Sequence, residues 1–228
     1  MKHIGIVAVS SEGAALCYRT ICLEGAASLG SYAHPEISLH NFPLSAYHRL
    51  MERARWGEVG DMLLESAAKL VRAGAELLIC PDNTAHQGLD LVRDRSPAPW
   101  IHIAEQVARN AVERGFKCVG ILGTRFLMEG PVYPSKLAAA GIDHRIPEAG
   151  ERERINRIIY EELLRANFLP SSLAYFQDVI GALASRGCDE VALACTEIPL
   201  LVAESGSPLP LLDSTRILAR AALREANA

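Results

Sequence analysis

The chain has no apolar run near the roughly 20 residues needed to cross a bilayer, no block of like charge, and no Cys-x-x-Cys pair. The first absence argues against a membrane-spanning helix. The second argues against a nucleic-acid surface: 23 Lys and Arg against 27 Asp and Glu are scattered, giving a net charge of −4. The third, with no Cys and His at metal-ligand spacing, argues against zinc. The six cysteines (17, 22, 80, 118, 188 and 195) read as thiols, most of them small apolar core residues. The opening Met1-Lys2-His3-Ile4-Gly5-Ile6-Val7 turns polar too early for a signal peptide and reads as a first strand, so a soluble cytoplasmic protein is expected.

What is present is ample for a core: 228 residues, half of them hydrophobic. Short apolar runs alternate with helical stripes. Strands are expected at Ile4 to Val9, Ile37 to Phe42, Leu77 to Cys80 and Trp100 to Ile103, then at Lys117 to Thr124, Ile142 to Ile146, Val191 to Ala194 and Pro208 to Asp213. Helices are expected over 14–29, 57–73, 104–114, 132–140, 151–166, 171–186 and 214–226. Pro43 and Ser45 are read as breakers after the second strand. Such alternation implies parallel sheets covered on both faces, with ligands beyond the carboxyl ends of the strands.

The second half repeats the first. Gly5 and Gly120 lie 115 residues apart, and Gly74 and Gly187 lie 113 apart. The spacing predicts a duplicated α/β unit: two similar parallel-sheet domains related by a pseudo-two-fold axis, with an active site in the cleft between them. The expected domains are 1–98 with the C-terminal helix of about 214–228, and 99–213.

Two stretches organise the chemistry. Leu77-Leu78-Ile79-Cys80 runs into Pro81-Asp82-Asn83-Thr84-Ala85-His86, and Val191-Ala192-Leu193-Ala194 runs into Cys195-Thr196-Glu197. Asp82 follows Gly74 by eight residues, as Cys195 follows Gly187. A thiol at a strand end before a helix can ionise near neutrality and act as acid, base or nucleophile; it can equally be a buried core cysteine. Asp82 to His86 can be a reactive cluster or a turn with a capped helix. Asn83 and Thr84 can hold a carboxylate, and His86 can orient or protonate a neighbour. Ser10 and Thr124 occupy matching strand ends in the two units. Arg125, Tyr133 and Lys136 are weaker candidates.

Asn83-Thr84-Ala85-His86 and Cys195-Thr196-Glu197, supported by Ile4-Gly5-Ile6, Gly123-Thr124, Tyr133 and Asp213-Ser214-Thr215, resemble the aspartate/glutamate racemase family over nearly the whole chain. The resemblance implies a cofactor-independent, metal-free racemase or epimerase of a small amino acid, aspartate- or glutamate-like. One residue removes the α-proton, and a second returns a proton on the opposite face. It also implies a small amino-acid or carboxylate substrate and a possible homodimer. The family has a cysteine before each motif. Here Cys195 stands in the second place, but Asp82 replaces the first. Catalysis is therefore expected from Asp82 and Cys195, with Ser10, Asn83, Thr84, His86, Thr124, Thr196 and Glu197 binding substrate. The alternatives are a one-thiol decarboxylase or cis–trans isomerase on the same scaffold, and a non-catalytic small-molecule binder.

Overall fold

The computed structural model describes residues 1–228. The chain divides into two compact units, Met1–Gln106 with Thr215–Ala228, and Val107–Ser214. The boundary falls inside the helix Ile103–Glu113. No helix is long and apolar enough to cross a membrane.

The first unit holds four strands: β1 (Ile4–Ala8), β2 (Ile37–Asn41), β3 (Leu77–Ile79) and β4 (Trp100–Ile101), in the order β2-β1-β3-β4, all parallel. Alternation along the central strands splits the core into two layers. Ile4, Ile6 and Ala8 of β1 join Leu77 and Ile79 against Ile21 and Leu218. Val7, with Leu78 of β3, packs on the other face with Leu63 and Tyr47. Each fully buried Ile or Leu contributes about 1.5–3 kcal/mol through lost apolar contact with water. β2 lies at the sheet edge, and its residues are half-buried or exposed. The pairing of β4 with β3 carries this unit past Pro97 and Pro99, so the proline-rich stretch is a turn within the unit, short of the boundary at Gln106.

The second unit repeats the plan with β5 (Cys118–Leu122), β6 (Asp143–Arg145), β7 (Glu190–Leu193) and β8 (Leu211–Asp213), in the order β6-β5-β7-β8, again all parallel. Its main core gathers Leu122, Val191 and Leu193 with Phe176, Ile180 and Ile155.

The sequence repeat has a physical basis. The helices Trp56–Arg72 and Pro170–Ser185 both end just before a glycine in the left-handed region, Gly74 at φ 105° and Gly187 at φ 89°. The acidic residue two positions later then ties the turn to the start of the neighbouring strand. Glu76 Oε1 accepts the His3 N–H at 3.1 Å. Asp189 accepts the N–H groups of Lys117 and Cys118 at 2.8 and 3.1 Å.

One helix was hidden by its punctuation. Leu44–Glu52 is helical directly after Pro43, which takes the N-cap position and has no amide N–H to leave unpaired. It delivers Tyr47, fully buried, to the core behind β3.

Candidate active site

In the first unit β3 ends at Ile79, and the chain turns through Pro81 into the short helix His86–Leu89. Asp82 holds that turn: its Oδ1 accepts the Ala85 N–H at 2.8 Å. Asp82 is half-buried, while Asn83 and Thr84 are buried.

His86 is wholly enclosed. Its Nε2 lies 3.3 Å from the Ile103 backbone nitrogen, which can only donate. Nδ1 must therefore carry the ring proton, and it donates to the Asp82 carbonyl at 2.8 Å. Burial, then the neighbouring His102 ring at 4.4 Å, holds the imidazole well below its usual pKa. The ring is thus neutral, with both nitrogens committed to backbone groups. From this position it fixes the main chain of the residue it would otherwise be expected to assist.

Cys80 lies in the core, where burial and the adjacent Asp82 carboxylate push its thiol up. Tyr47 sits nearby, its hydroxyl also pushed up by burial. Ser66, beside Tyr47 but outside directed hydrogen-bond geometry, has its hydroxyl 2.9 Å from His40 Nδ1. Sequence reasoning did not find this polar cluster, because it needs the helix that follows Pro43.

In the second unit Cys195 ends the run that follows β7. Its sulfur donates to Glu197 Oε2 at 3.1 Å, and the Thr196 hydroxyl donates to the same oxygen at 2.9 Å. All three residues are buried, and Glu197 Oε1 has no hydrogen-bond partner. The resting thiol therefore has a carboxylate oxygen in position to accept its proton. Ser214 braces the strand end, donating to the Leu193 carbonyl at 2.8 Å. Ser214 also hydrogen-bonds the buried Tyr133, whose phenol is pushed up by burial.

Thr124 belongs to the same neighbourhood. Gly123 packs so closely on Ala194 that a β-carbon would stand 3.0 Å from the Ala194 oxygen. Thr124 caps the helix Arg125–Met128, accepting the Leu127 N–H at 3.3 Å. Ser10 does the same in the first unit, accepting from Gly13 at 3.2 Å at the head of the helix Ser11–Leu29. Asn41 clasps that strand end through the Ala8 and Val9 carbonyls at 3.0 and 3.3 Å. Arg125 is exposed and Lys136 half-buried.

The sequence-predicted residues thus fall into two sets. In the first unit Ser10 lies beyond β1 and Asp82, Asn83, Thr84 and His86 beyond β3; in the second, Thr124 lies beyond β5 and Cys195, Thr196 and Glu197 beyond β7. No cluster of three or more His, Cys, Asp or Glu has the form of a metal site.

The chain matches the family model described as Asp/Glu/Hydantoin racemase over residues 6–222. It is 24% identical over 163 residues to the broad specificity amino-acid racemase RacX of Bacillus subtilis, covering 72% of this chain and 70% of that one. It is 27% identical to a glutamate racemase of Deinococcus radiodurans, covering 72% of this chain but only 57% of that enzyme's length. Among solved structures, an aspartate racemase homologue from Pyrococcus horikoshii OT3 superposes with a TM-score of 0.86 at 29% identity, each chain covered in full. A glutamate racemase from Francisella tularensis in complex with D-glutamate, at 13% identity and a TM-score of 0.71 over 98% of this chain and 80% of that one, shares the fold. With the match running from the first strand into the last helix, the chain belongs to the Asp/Glu/hydantoin racemase family, a membership that supports amino-acid racemase activity and places it among the isomerases.

Proposed function

We propose that the protein racemises or epimerises a small amino acid, without a cofactor, using Asp82 and Cys195 as the acid–base pair at the α-carbon. The observation that carries this reading is positional. Asp82 follows β3 as Cys195 follows β7, and these strands hold the same place in two sheets of identical order. Inversion needs a proton removed from one face of a carbon and delivered to the other, a task suited to a duplicated scaffold.

In one direction the Asp82 carboxylate takes the α-proton, leaving a planar, enolate-like carbanion, and the Cys195 thiol protonates its opposite face. The other direction starts from the form the first one leaves, reached from the resting state when Cys195 loses its proton through Glu197 to solvent and Asp82 takes one up from solvent: the thiolate then abstracts the α-proton, and protonated Asp82 returns its own. Asn83, Thr84, Thr124, Thr196 and Ser10 supply neutral donors for the substrate carboxylate. A carboxylate in the first catalytic position repels a second substrate carboxylate and attracts an ammonium group. The substrate class is therefore amino acids less acidic than aspartate or glutamate. The resemblance to the racemases further suggests a cytoplasmic homodimer.

A second reading has an observation of its own. Asp82 Oδ1 is engaged in capping its turn. If that is its whole duty, Cys195 alone protonates an enolate-like intermediate, as in a decarboxylase or cis–trans isomerase. Incubating enantiopure amino acids with the protein in deuterated water separates the two. Solvent deuterium at the α-carbon with loss of optical purity supports the racemase. Carbon dioxide release from a malonate-type acid, without α-exchange in any amino acid, supports the one-thiol enzyme.

A further inference from the structure

At the opposite end of the second sheet from Cys195, two other thiols lie together. Cys118 opens β5, and Cys188 sits in the turn before β7, 70 positions later in the chain. Their sulfurs are 3.8 Å apart, and both residues are reduced and buried. A disulfide bond is about 2.05 Å long, so the two sulfurs must approach by a little under ~2 Å to close it.

The backbone already holds the pair in place. Asp189 accepts the Cys118 N–H at 3.1 Å through its carboxylate, and its own N–H donates to the Cys118 carbonyl at 3.0 Å. One residue further on, Val119 and Glu190 are paired across the parallel ladder. Cys118 and Gly120 point to the same face of β5. On that face a β-carbon at Gly120 would meet Leu183 and Val191 at 3.0 and 3.1 Å, with the Cys188 sulfur beyond them at 3.6 Å. Burial, then the neighbouring Cys118, pushes the Cys188 thiol up to about 12, and the Arg145 and Arg186 guanidiniums offset this only in part.

We propose that Cys118 and Cys188 are a reversible disulfide site, closed by a low-molecular-weight disulfide and opened by thiols. In the forward reaction one protein thiolate attacks the oxidant and expels one small thiol, leaving a mixed disulfide. The second protein thiol then displaces the other small thiol. One sulfur–sulfur bond forms and one breaks, and the two electrons and two protons leave with the two small thiols. The link staples the starts of β5 and β7 without touching the strand ends that carry Thr124 and Cys195. It acts on the stability of the second unit rather than on the chemistry at Cys195.

The test uses the full-length, wild-type reduced chain. It is held with excess oxidised glutathione under native conditions, quenched with an alkylating agent, digested and mapped by mass spectrometry. A Cys118–Cys188 linked peptide is expected, free of glutathione and removed by dithiothreitol, together with a rise of several degrees in Tm. In Cys118→Ser the linked peptide and the Tm rise both disappear. Half-buried Cys22 reports that the oxidant has reached the protein. Cys22 glutathionylated while Cys118 and Cys188 remain fully alkylatable would overturn the proposal, as would a link that forms only in denaturant.

Discussion

The Cys195 thiol donates to Glu197 Oε2 at 3.1 Å, and the Thr196 hydroxyl meets the same oxygen at 2.9 Å. One carboxylate oxygen thus orients the thiol and is placed to take its proton. Glu197→Gln keeps the shape but loses the acceptor that can carry a proton away. A fall in kcat of roughly 100-fold or more is expected, the scale of a lost acid–base partner, with a much smaller change in KM. The rate of Cys195 alkylation across pH is an independent check. An unchanged profile in Glu197→Gln would detach the two residues.

His86 makes a different prediction. Its fully buried ring satisfies the Asp82 carbonyl and the Ile103 N–H. His86→Ala leaves both backbone groups unpaired and opens a cavity, a loss of about 2–4 kcal/mol. Urea unfolding measures it. A cost under ~0.5 kcal/mol would mean that the ring does not hold the loop.

Glu190 sets a pH dependence. It is fully buried at the start of β7, and burial pushes its carboxyl up to about 8 despite Arg114 Nη1 at 2.7 Å. The contact is an ion pair without directed hydrogen-bond geometry, since neither carboxylate oxygen has a hydrogen-bond partner. Unfolded, the group ionises near its ordinary 4.5. Between those values folded Glu190 binds the extra proton, so this group's contribution to stability is greatest below about 4.5 and is lost as pH rises through about 8. Glu190→Gln should flatten this part of the stability–pH curve. Equal slopes in the two proteins between about pH 5 and 9 would contradict the assignment.

The helix-ending glycines give a cleaner test of backbone strain. Gly187 stands at φ 89°, and a β-carbon added there would meet nothing within 4 Å. Gly187→Ala therefore costs only the left-handed conformation, about 1–2 kcal/mol. Gly74→Ala adds a contact at 3.1 Å with His3 Nδ1 and should cost more. Matched denaturation curves compare them.

Most of the fold was legible because the central strands are covered on both sides and so read as unbroken apolar runs. The glycine-to-acid spacing before β3 and β7 gave the duplication away, since both turns need the same positive φ and the same carboxylate clamp. The helix Leu44–Glu52 was not legible, because Pro43 and Ser45 look like breakers when they in fact open a helix. Trp100-Ile101 was seen as a strand, but its allegiance to β3 was masked by the prolines before it. At the candidate site, Cys195 and Glu197 stood out as reactive types at a strand end. The enclosure of His86 did not, because it depends on Ile103, seventeen residues away. Asn41 was likewise invisible, since it acts on the end of another strand, and so was Tyr47, which reaches the core only through the helix after Pro43.

The central claim is that Asp82 and Cys195 work on opposite faces of one α-carbon. It is tested most directly by following optical inversion and α-deuterium uptake separately in Cys195→Ala and Asp82→Asn, on an amino acid that the native protein inverts. Each variant is expected to lose inversion, with at most exchange and retention left on one enantiomer, a different enantiomer for each variant. Inversion at the native rate in either variant would contradict the two-residue account.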